Sequence, residues 1–495
     1  MSEPTNPDHP TESAPAVPEQ SENEIRAQRL RNMERLKELG YDTPFGHAFP
    51  NDGNLDQIAE TFEAEKPVRI AGRLVAKREM GKSIFAHLQD STGRFQIYLK
   101  KDIVGEAAFD AFKVVDIGDT IGGEGTLFLT RTEEKTANLT SWHLLSKALL
   151  PLPEKHAGLT DVETRYRKRY LDLIANEEVR EVFTRRLHIV REMRSYLQER
   201  GFLEVETPMM QLRAGGAAAK PFVTHYNALG TDMSMRIAPE LFLKRLLVGG
   251  YNKVFELNKN FRNEGLSRNH QPEFTMLEIY EAYGDRETMA ELVQGLILYV
   301  ADTVIGSRQV GTESHPVNLD NFRTVPYKDL LRETAGDDYF DLDLAGQRAR
   351  AVELGCHVDD DMDATDIGQE IFEKCIEGTL LDPTFVIRLP YKLVPLAKRC
   401  TDDPELVDVY ELIIGGKEIS PGYTELNDPI DQRARFEEQA GGDPEKIDEE
   451  FLNALEHGMP PAGGLGLGVD RLVMLLTGCD AIRDVIFFPQ LKAKG

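Results

Sequence analysis

The sequence predicts an α+β protein of more than one domain, with a small all-β barrel followed by a large unit of helices and paired strands. Three observations predict it. Residues 67–150 read as three strands, a helix and two more strands, LPLPEKHAGLTD (150–161) is a Pro-punctuated linker, and beyond it a long amphipathic helix leads into strands with one polar and one apolar face. At 495 residues the chain is also too long for one ordinary domain.

The N-terminus, MSEPTNPDHPTESAPAVPEQSENE, is polar, acidic and Pro-rich without an apolar h-region, so residues 1–24 are expected as a disordered tail. Ile25, Leu30, Met33, Leu36 and Leu39 then recur at helical spacing and Gly40 follows as a stop, which opens residues 25–66 with an amphipathic helix. In the barrel region VRIAGRL alternates, KSIFAHLQD and GRFQIYLKK flank the turn DSTG, a helix is expected near Ala107–Phe112, and DTIGGEGTLFLT and LTSWHLLSK supply the last two strands. This order suits a five-stranded OB-type barrel. Such a barrel either binds single-stranded nucleic acid, with Arg73, Lys77, Arg78, Lys82, Phe85, Phe95 and Gln96 available for contacts, or is a plain structural module.

The formal net charge of −26 repels polyanions, which argues against general coating of DNA or membranes and makes any nucleic-acid partner depend on local basic patches. Cys356, Cys375, Cys400 and Cys479 are far apart, with no C-x-x-C pair and no His at zinc-finger spacing. Neither a disulfide framework nor a zinc site is expected, and a reducing, cytoplasmic location fits. No run of about 18 apolar residues suggests a membrane span.

The large unit, residues 162–495, begins with VREVFTRRLHIVREMRSYLQERG, which places Val182, Phe183, Leu187, Val190, Met193 and Leu197 on one stripe and ends at Gly201. FLEVETP follows as a strand. Residues 285–400 read as a mostly helical insertion between the halves of a site.

That site starts at FRNEGLSRNHQPEF (261–274). KVFELNKNFR before the loop puts Glu256, Asn258, Asn260 and Arg262 on one face, and EFTMLEIY after it puts Phe274, Met276, Glu278 and Tyr280 on one face. The stretch is a long-looped hairpin offering Arg262, Glu264, Phe274, Glu278 and Tyr280 to one cleft. A guanidinium holds phosphate, a ring stacks on a base and a carboxylate accepts from an exocyclic amine, so this is nucleotide-binding chemistry. A second hairpin, VYELIIGGKEI, turns on Gly415–Gly416, so that Ile414 opposes Lys417 and Ile413 opposes Glu418. Glu411 and Glu418 then become diagonal neighbours, and such acids either share a cation, Mg²⁺ beside a triphosphate, or are two solvent-facing charges. Third, GGLGLGVDRLVMLL (463–476) lacks both Rossmann and P-loop spacing and reads as a Gly-rich strand entering a helix, with Asp470 as N-cap and Arg471 placed for an anion.

Together these pieces resemble the three signature motifs of class II aminoacyl-tRNA synthetases, in detail those of the lysyl-tRNA synthetases. GFLEVETP is similar to motif 1, FRNEGLSRNHQPEF to motif 2 and GGLGLGVDR to motif 3. GGAAAKPF, MRIAPELFLKRLLVGG, KEISPGYTELNDP and PLPEKHAGLTDVETRYRKRYLDLI extend the likeness over nearly the whole chain. The resemblance implies an antiparallel catalytic sheet flanked by helices, a homodimer formed through motif 1, and ATP-dependent activation of L-lysine followed by transfer to tRNA(Lys). It implies that Arg262 grips the α-phosphate and the lysine carboxylate, that Arg471 with His270 meets the γ-phosphate, that Phe274 stacks on adenine and that Glu264 faces its edge. Glu411 and Glu418 would hold Mg²⁺. Glu240 and the backbone at Gly215–Gly216 would receive the α-ammonium, and Glu425 and Tyr280, supported by Glu278, the ε-ammonium. In the barrel, Arg78, Phe85, Gln96 and Glu134 match anticodon-contacting positions. The chain departs from the usual pattern at Pro421, Gln271, Asn269 and Ala462, and Pro421 removes an amide side chain and a backbone N–H beside the substrate.

Overall fold

The computed structural model describes residues 22–41, 45–153, 159–213, 215–217, 219–441, 443 and 447–492. Of the expected tail, residues 1–21 lie outside the described residues, as do 154–158 of the expected linker. The chain divides into two compact units, Met1–Thr160 with Ile174–Asn176, and Asp161–Leu173 with Glu177–Gly495.

In the first unit β1 (Pro67–Met80), β2 (Ser83–Gln89), β3 (Arg94–Lys100), β4 (Thr120–Leu129) and β5 (Lys135–Ser146) form a closed barrel in the order β1-β2-β3-β5-β4. The helix Glu106–Val114 between β3 and β4 buries Phe109, Ala111 and Phe112 in the same core as Ile70, Leu74, Leu88 and Ile97. The N-terminal helix spans Glu22–Glu38 and is anchored by Arg29, whose guanidinium donates to the carbonyls of Ile117, Ala148 and Leu150. Leu36 from that helix, with Leu55 and Ile58 from the helix Leu55–Glu60, completes the barrel core.

The second unit contains β6 (Leu203–Glu204), β7 (Met210–Gln211), β8 (Val223–Tyr226), β9 (Thr231–Met235), β10 (Lys253–Phe261), β11 (Glu273–Ala282), β12 (Gln309–Thr312), β13 (His315–Asn318), β14 (Arg323–Pro326), β15 (Thr384–Ile387), β16 (Val409–Ile413), β17 (Glu418–Thr424) and β18 (Ala462–Gly468). Eight of them make one sheet, β14-β15-β16-β17-β18-β11-β10-β6. It is antiparallel from β15 to β10 and parallel only at its edges, β14 with β15 and β10 with β6. Helices Glu177–Glu199, Arg286–Val300 and Val469–Thr477 pack on one face, where Met193, Leu197, Val293, Ile297, Leu472 and Val473 meet Phe255, Leu277, Ile279 and Leu465. Residues 286–305 are long and apolar enough to cross a membrane by length and composition, yet Met289, Val293, Leu296, Ile297 and Val300 belong to this core.

Three expectations change. Residues 285–400 supply helices and also β14 and β15 at one end of the main sheet, so the region is part of the sheet's framework as well as a helical segment. Those strands are four residues each, too short to leave a period in the sequence. Leu187 is 57% exposed, because the buried line of its helix runs through Val179, Met193 and Leu197, and at about 100° per residue Leu187 stands well off that line. Asp470 lies inside the helix that follows β18 instead of capping it: its Oδ2 accepts from the Thr275 N–H at 2.7 Å and its Oδ1 lies 2.6 Å from Arg186 Nη1. A sequence window sees an acid at a helix start, but these partners come from 195 residues and more away in the chain.

Candidate active site

The face of the sheet opposite the three helices carries the polar stripes. Asn260 pairs with Phe274, Asn258 with Met276, Glu256 with Glu278 and Val254 with Tyr280, so the hairpin register is the one the alternation predicts. The second hairpin turns with Gly415 at φ +63° and Gly416 at φ +69°, a conformation that glycine adopts without strain. Ile413 opposes Glu418 as expected, but a bulge then shifts the ladder, and Glu411 faces Pro421 instead of Ser420. The extra residue breaks the period of two. It brings Glu418 onto the same cavity wall as Pro421, Tyr423 and Glu425, which strict alternation would not do. Pro421, with no N–H to give, sits at this irregular point of the ladder.

These elements enclose a cavity of about 570 Å³ lined by Gly215, Gly216, Glu240, Arg262, Glu278, Tyr280, Glu418 and Glu425 among others. Gly216 has φ +87°, and a Cβ there would lie 3.2 Å from the Glu240 Cβ, so the backbone passes tightly over that side chain. Against two of the cavity's lining acids, Glu240 and Glu425, packs a group the sequence reading missed. Lys244, fully buried, places its Nζ 2.7 Å from Glu240 Oε1 and 2.5 Å from Glu425 Oε2. The i,i+4 spacing of Glu240 and Lys244 on the helix Glu240–Val248 was the available signal. Burial works against the Lys244 ammonium, but the two acids overcome it and hold its value above the ordinary one.

Glu425 Oε1 is buried and has no hydrogen-bond partner among the described residues. It points over Gly464, where a Cβ would come within 2.0 Å of it and 2.5 Å of the Tyr280 ring. Burial, opposed by Lys244 and aided by Glu240, pushes the Glu425 carboxyl up to about 8, and burial together with Glu240 does the same for Glu278, whose Oε2 accepts from Tyr280 at 3.4 Å. This pocket accommodates further positive charge.

Around Arg262 and Glu418 stand the other predicted residues. The Arg262 guanidinium lies over the Phe274 ring, 5.1 Å from its centroid. Arg471 Nη1 donates to the Glu418 carbonyl at 2.7 Å, and its Nη2 is 3.2 Å from His270 Nε2. Burial first, then the Arg471 charge, hold His270 below its ordinary value, so the neutral ring accepts from Arg471. Glu264 is exposed on the loop, electrostatically coupled to His270. Glu411 is pushed up to about 8, by burial first and then by Glu418, Glu377 and Glu373. Glu377, whose Oε1 accepts from the Glu418 N–H at 3.0 Å, was also missed and carries no local signal in the sequence.

In the barrel Arg78 and Phe85 are cross-strand partners on β1 and β2, and Phe85 pairs with Tyr98 on β3, their rings 4.7 Å apart. Gln96 and Glu134 line one cavity of about 600 Å³ with His87 and Arg94. Gln96 Oε1 accepts from Thr136 at 2.8 Å, and Glu134 Oε1 lies 3.1 Å from His87 Nε2. Three of the suggested contacts are otherwise engaged: Arg73 donates to the Gly118 carbonyl, Lys77 donates to the carbonyls of Lys113 and Val115, and Phe95 belongs to the core.

Residues 161–492 match the model of the class II tRNA synthetases (D, K and N), and residues 68–145 that of the OB-fold nucleic acid binding domain. The chain is 48% identical over 482 residues to the lysine–tRNA ligase of Carboxydothermus hydrogenoformans, covering 95% of this chain and 99% of that one. The chain belongs to the class II lysine–tRNA ligase family. Its likeness to the lysine–tRNA ligase of Syntrophomonas wolfei is 48% identity, covering 95% and 98% of the two chains. With that of Staphylococcus aureus it is 46%, covering 94% and 98%. Membership of the lysine–tRNA ligase family accounts for both units of the chain, the barrel and the sheet.

Proposed function

We propose that the chain activates L-lysine with ATP to lysyl-adenylate and transfers the lysyl group to the 3′ end of tRNA(Lys), releasing pyrophosphate and then AMP. The observation that carries this reading is the acidic cavity lined by both Glu425, whose buried Oε1 has no hydrogen-bond partner among the described residues, and Arg262. A cationic side chain satisfies the first and a carboxylate the second, whereas the side chain of aspartate would bring a second negative charge to Glu425 and neither aspartate nor asparagine would bring a cation to its Oε1.

In the first step a lysine carboxylate oxygen attacks the α-phosphorus in line, an O–P bond forms, and the bond to the β-phosphate bridge breaks with pyrophosphate leaving. Positioning and charge neutralisation carry such a step. Arg262 holds the α-phosphate and the lysine carboxylate, Phe274 and Glu264 hold adenine, and Arg471 with neutral His270 meets the terminal phosphate. Glu240 and the Gly215–Gly216 backbone receive the α-ammonium, and Glu425 with Tyr280 and Glu278 the ε-ammonium. In the second step a hydroxyl of the tRNA 3′ end attacks the lysyl carbonyl and AMP leaves.

Glu411 and Glu418 suit Mg²⁺, since both offer carboxylate oxygens and, among the described residues, Glu411 has no cation at ion-pair distance and Glu418 has only Arg471, at 3.8 Å. Held by these two acids, Mg²⁺ would supply neutralisation of the triphosphate charge. Among the described residues no group of three or more His, Cys, Asp or Glu comes together as a metal site, so the remaining ligands would be phosphate and water oxygens.

Arg78, Phe85, Gln96 and Glu134 read the anticodon. A homodimer is supported by the exposed apolar residues Leu203, Met209, Met210, Leu212, Val223 and Leu229 in and after motif 1, and the location is cytoplasmic. ATP–pyrophosphate exchange with each amino acid separately, then charging of tRNA(Lys), tests the proposal: lysine alone should support exchange, and exchange driven by aspartate or asparagine would overturn it.

A further inference from the structure

The carboxylates of Glu240, Glu278 and Glu425 line one cavity together. Left to themselves they would repel and spread. One internal cation holds two of them: Lys244 Nζ lies 2.7 Å from Glu240 Oε1 and 2.5 Å from Glu425 Oε2, with its side chain at 0% exposure. Each acid reaches that point from a fixed backbone. Glu240 opens the helix Glu240–Val248 and Lys244 is one turn further on, while the Glu425 N–H donates to the Ala462 carbonyl at 2.8 Å and so ties its segment to β18. The Lys244 ion pair is to Glu425 Oε2, and Oε1, buried beside Gly464, has no hydrogen-bond partner among the described residues.

We infer that Lys244 is a positioning residue for the amino-acid substrate, clamping Glu240 to Glu425 and thereby fixing the spacing between the groups that receive the α- and ε-ammonium. The inference rests on the proposed lysine pocket. Two carboxylates tied to one ammonium form a ruler: a diamine-bearing substrate must span from the free side of one acid to the free side of the other. A substrate one methylene shorter, such as ornithine, reaches only one of them. One methylene is ordinarily worth about 10–200-fold in discrimination, and the clamp is what makes that difference count in a cavity wide enough to let both acids relax.

The groups facing the clamp are Arg262, Glu278, Tyr280 and Tyr423 besides the three members themselves. Without the Lys244 charge the Glu425 carboxyl loses its one favourable neighbour and holds its proton to higher pH, where it cannot pair with an incoming ammonium.

The test uses the full chain with Lys244→Met and Lys244→Arg, and reads pyrophosphate exchange with lysine and with ornithine across pH. In Lys244→Met the lysine KM should rise about tenfold or more with the ATP KM unchanged, and the acid limb of lysine kcat/KM should move up by about one pH unit, the equivalent of a tenfold change. A residue that only stabilises the fold would lower the Tm and move neither. Lys244→Arg keeps the charge but changes the span, so it should recover part of the lysine KM while lysine-over-ornithine preference falls about fivefold or more. Should Lys244→Met not fold, the Arg variant decides, and a folded Lys244→Arg with wild-type preference overturns the inference. So does a folded Lys244→Met with wild-type lysine KM and pH profile. Glu425→Gln separates the two levels: if it leaves the lysine KM unchanged the pocket itself is misassigned, whereas an effective Glu425→Gln beside a silent Lys244→Met removes the clamp alone.

Discussion

Glu240 and Glu425 share a buried lysine, whereas Glu411 and Glu418, on adjacent strands, repel each other and have among the described residues no cation nearer than Arg471, 3.8 Å from Glu418. Both pairs are acids held close in a partly dry place, yet one carries its own counter-charge and the other does not. On the proposed reading, the difference separates a pocket shaped before substrate arrives from a site whose repulsion would be relieved only by a cation coming in with the nucleotide. Internal pairing preorganises recognition of a small ligand, and withheld pairing would couple a metal ion to the triphosphate.

Removing the inner carboxylate should have the largest effect. Glu425→Gln is expected to lower lysine kcat/KM at least a hundredfold, since taking one partner from a buried pair costs about 3–5 kcal/mol. Lys244 keeps Glu240 as a partner, so the protein should still fold and the ATP KM should stay near wild type. Pyrophosphate exchange at varied lysine and at varied ATP checks this, and an equal rise in both KM values would break the contrast between the two acid pairs.

Next come Glu411→Gln and Glu418→Gln. Each should slow adenylation by roughly a hundredfold, the typical effect of losing one group that neutralises charge in the transition state, and each should raise the Mg²⁺ concentration needed for half-maximal rate. A Mg²⁺ titration of exchange checks it. Wild-type Mg²⁺ dependence in both variants would remove the two acids from the metal site.

How much of this contrast is legible in the sequence depends on whether the partners are neighbours in the chain. The register of β10 with β11, the glycine turn at 415–416 and the barrel order are set by local alternation and turn chemistry, and all three are where the pattern puts them. The bulge in β17 is not legible, because one inserted residue leaves the strand as apolar as before while changing which side chains share a wall. Asp470 and Glu377 take their partners from distant segments, and Lys244 sits in a phrase that resembles the family but whose i,i+4 acid pairing becomes meaningful only once Glu425 arrives from the other side.

A barrel variant supplies the baseline for both acid pairs. Phe85→Ala, which removes a stacking face on β2, should raise the KM for tRNA(Lys) in charging by roughly 5–150-fold, matching the about 1–3 kcal/mol of one base–aromatic contact, while leaving lysine-dependent exchange unchanged. A fall in exchange of similar size would mean that the barrel takes part in adenylation.

The smallest expected effect is on the stability of the ligand-free protein, and its sign follows from the direction of the Glu411 shift. Burial and its acidic neighbours hold the folded-state Glu411 carboxyl at about 8, whereas an unfolded glutamate titrates near about 4.3. Between those values the folded protein keeps a proton that the unfolded chain gives up, so the cost of Glu411 to stability is absent below about pH 4.3, grows as pH rises and is complete above about 8. Glu411→Gln removes the cost. Its Tm should therefore exceed that of the wild type by at most a few degrees near pH 5, where the cost is only about 1 kcal/mol, and by clearly more at pH 8.5, since about 1 kcal/mol shifts Tm by roughly 2–4 °C in large domains. Added MgATP should reverse the order, stabilising the wild type more than the variant, because only the wild type offers both carboxylates to the cation. A Tm gain of the same size at pH 5 and pH 8.5 would show that Glu411 is ionised throughout, and the two acid pairs would then differ in geometry alone.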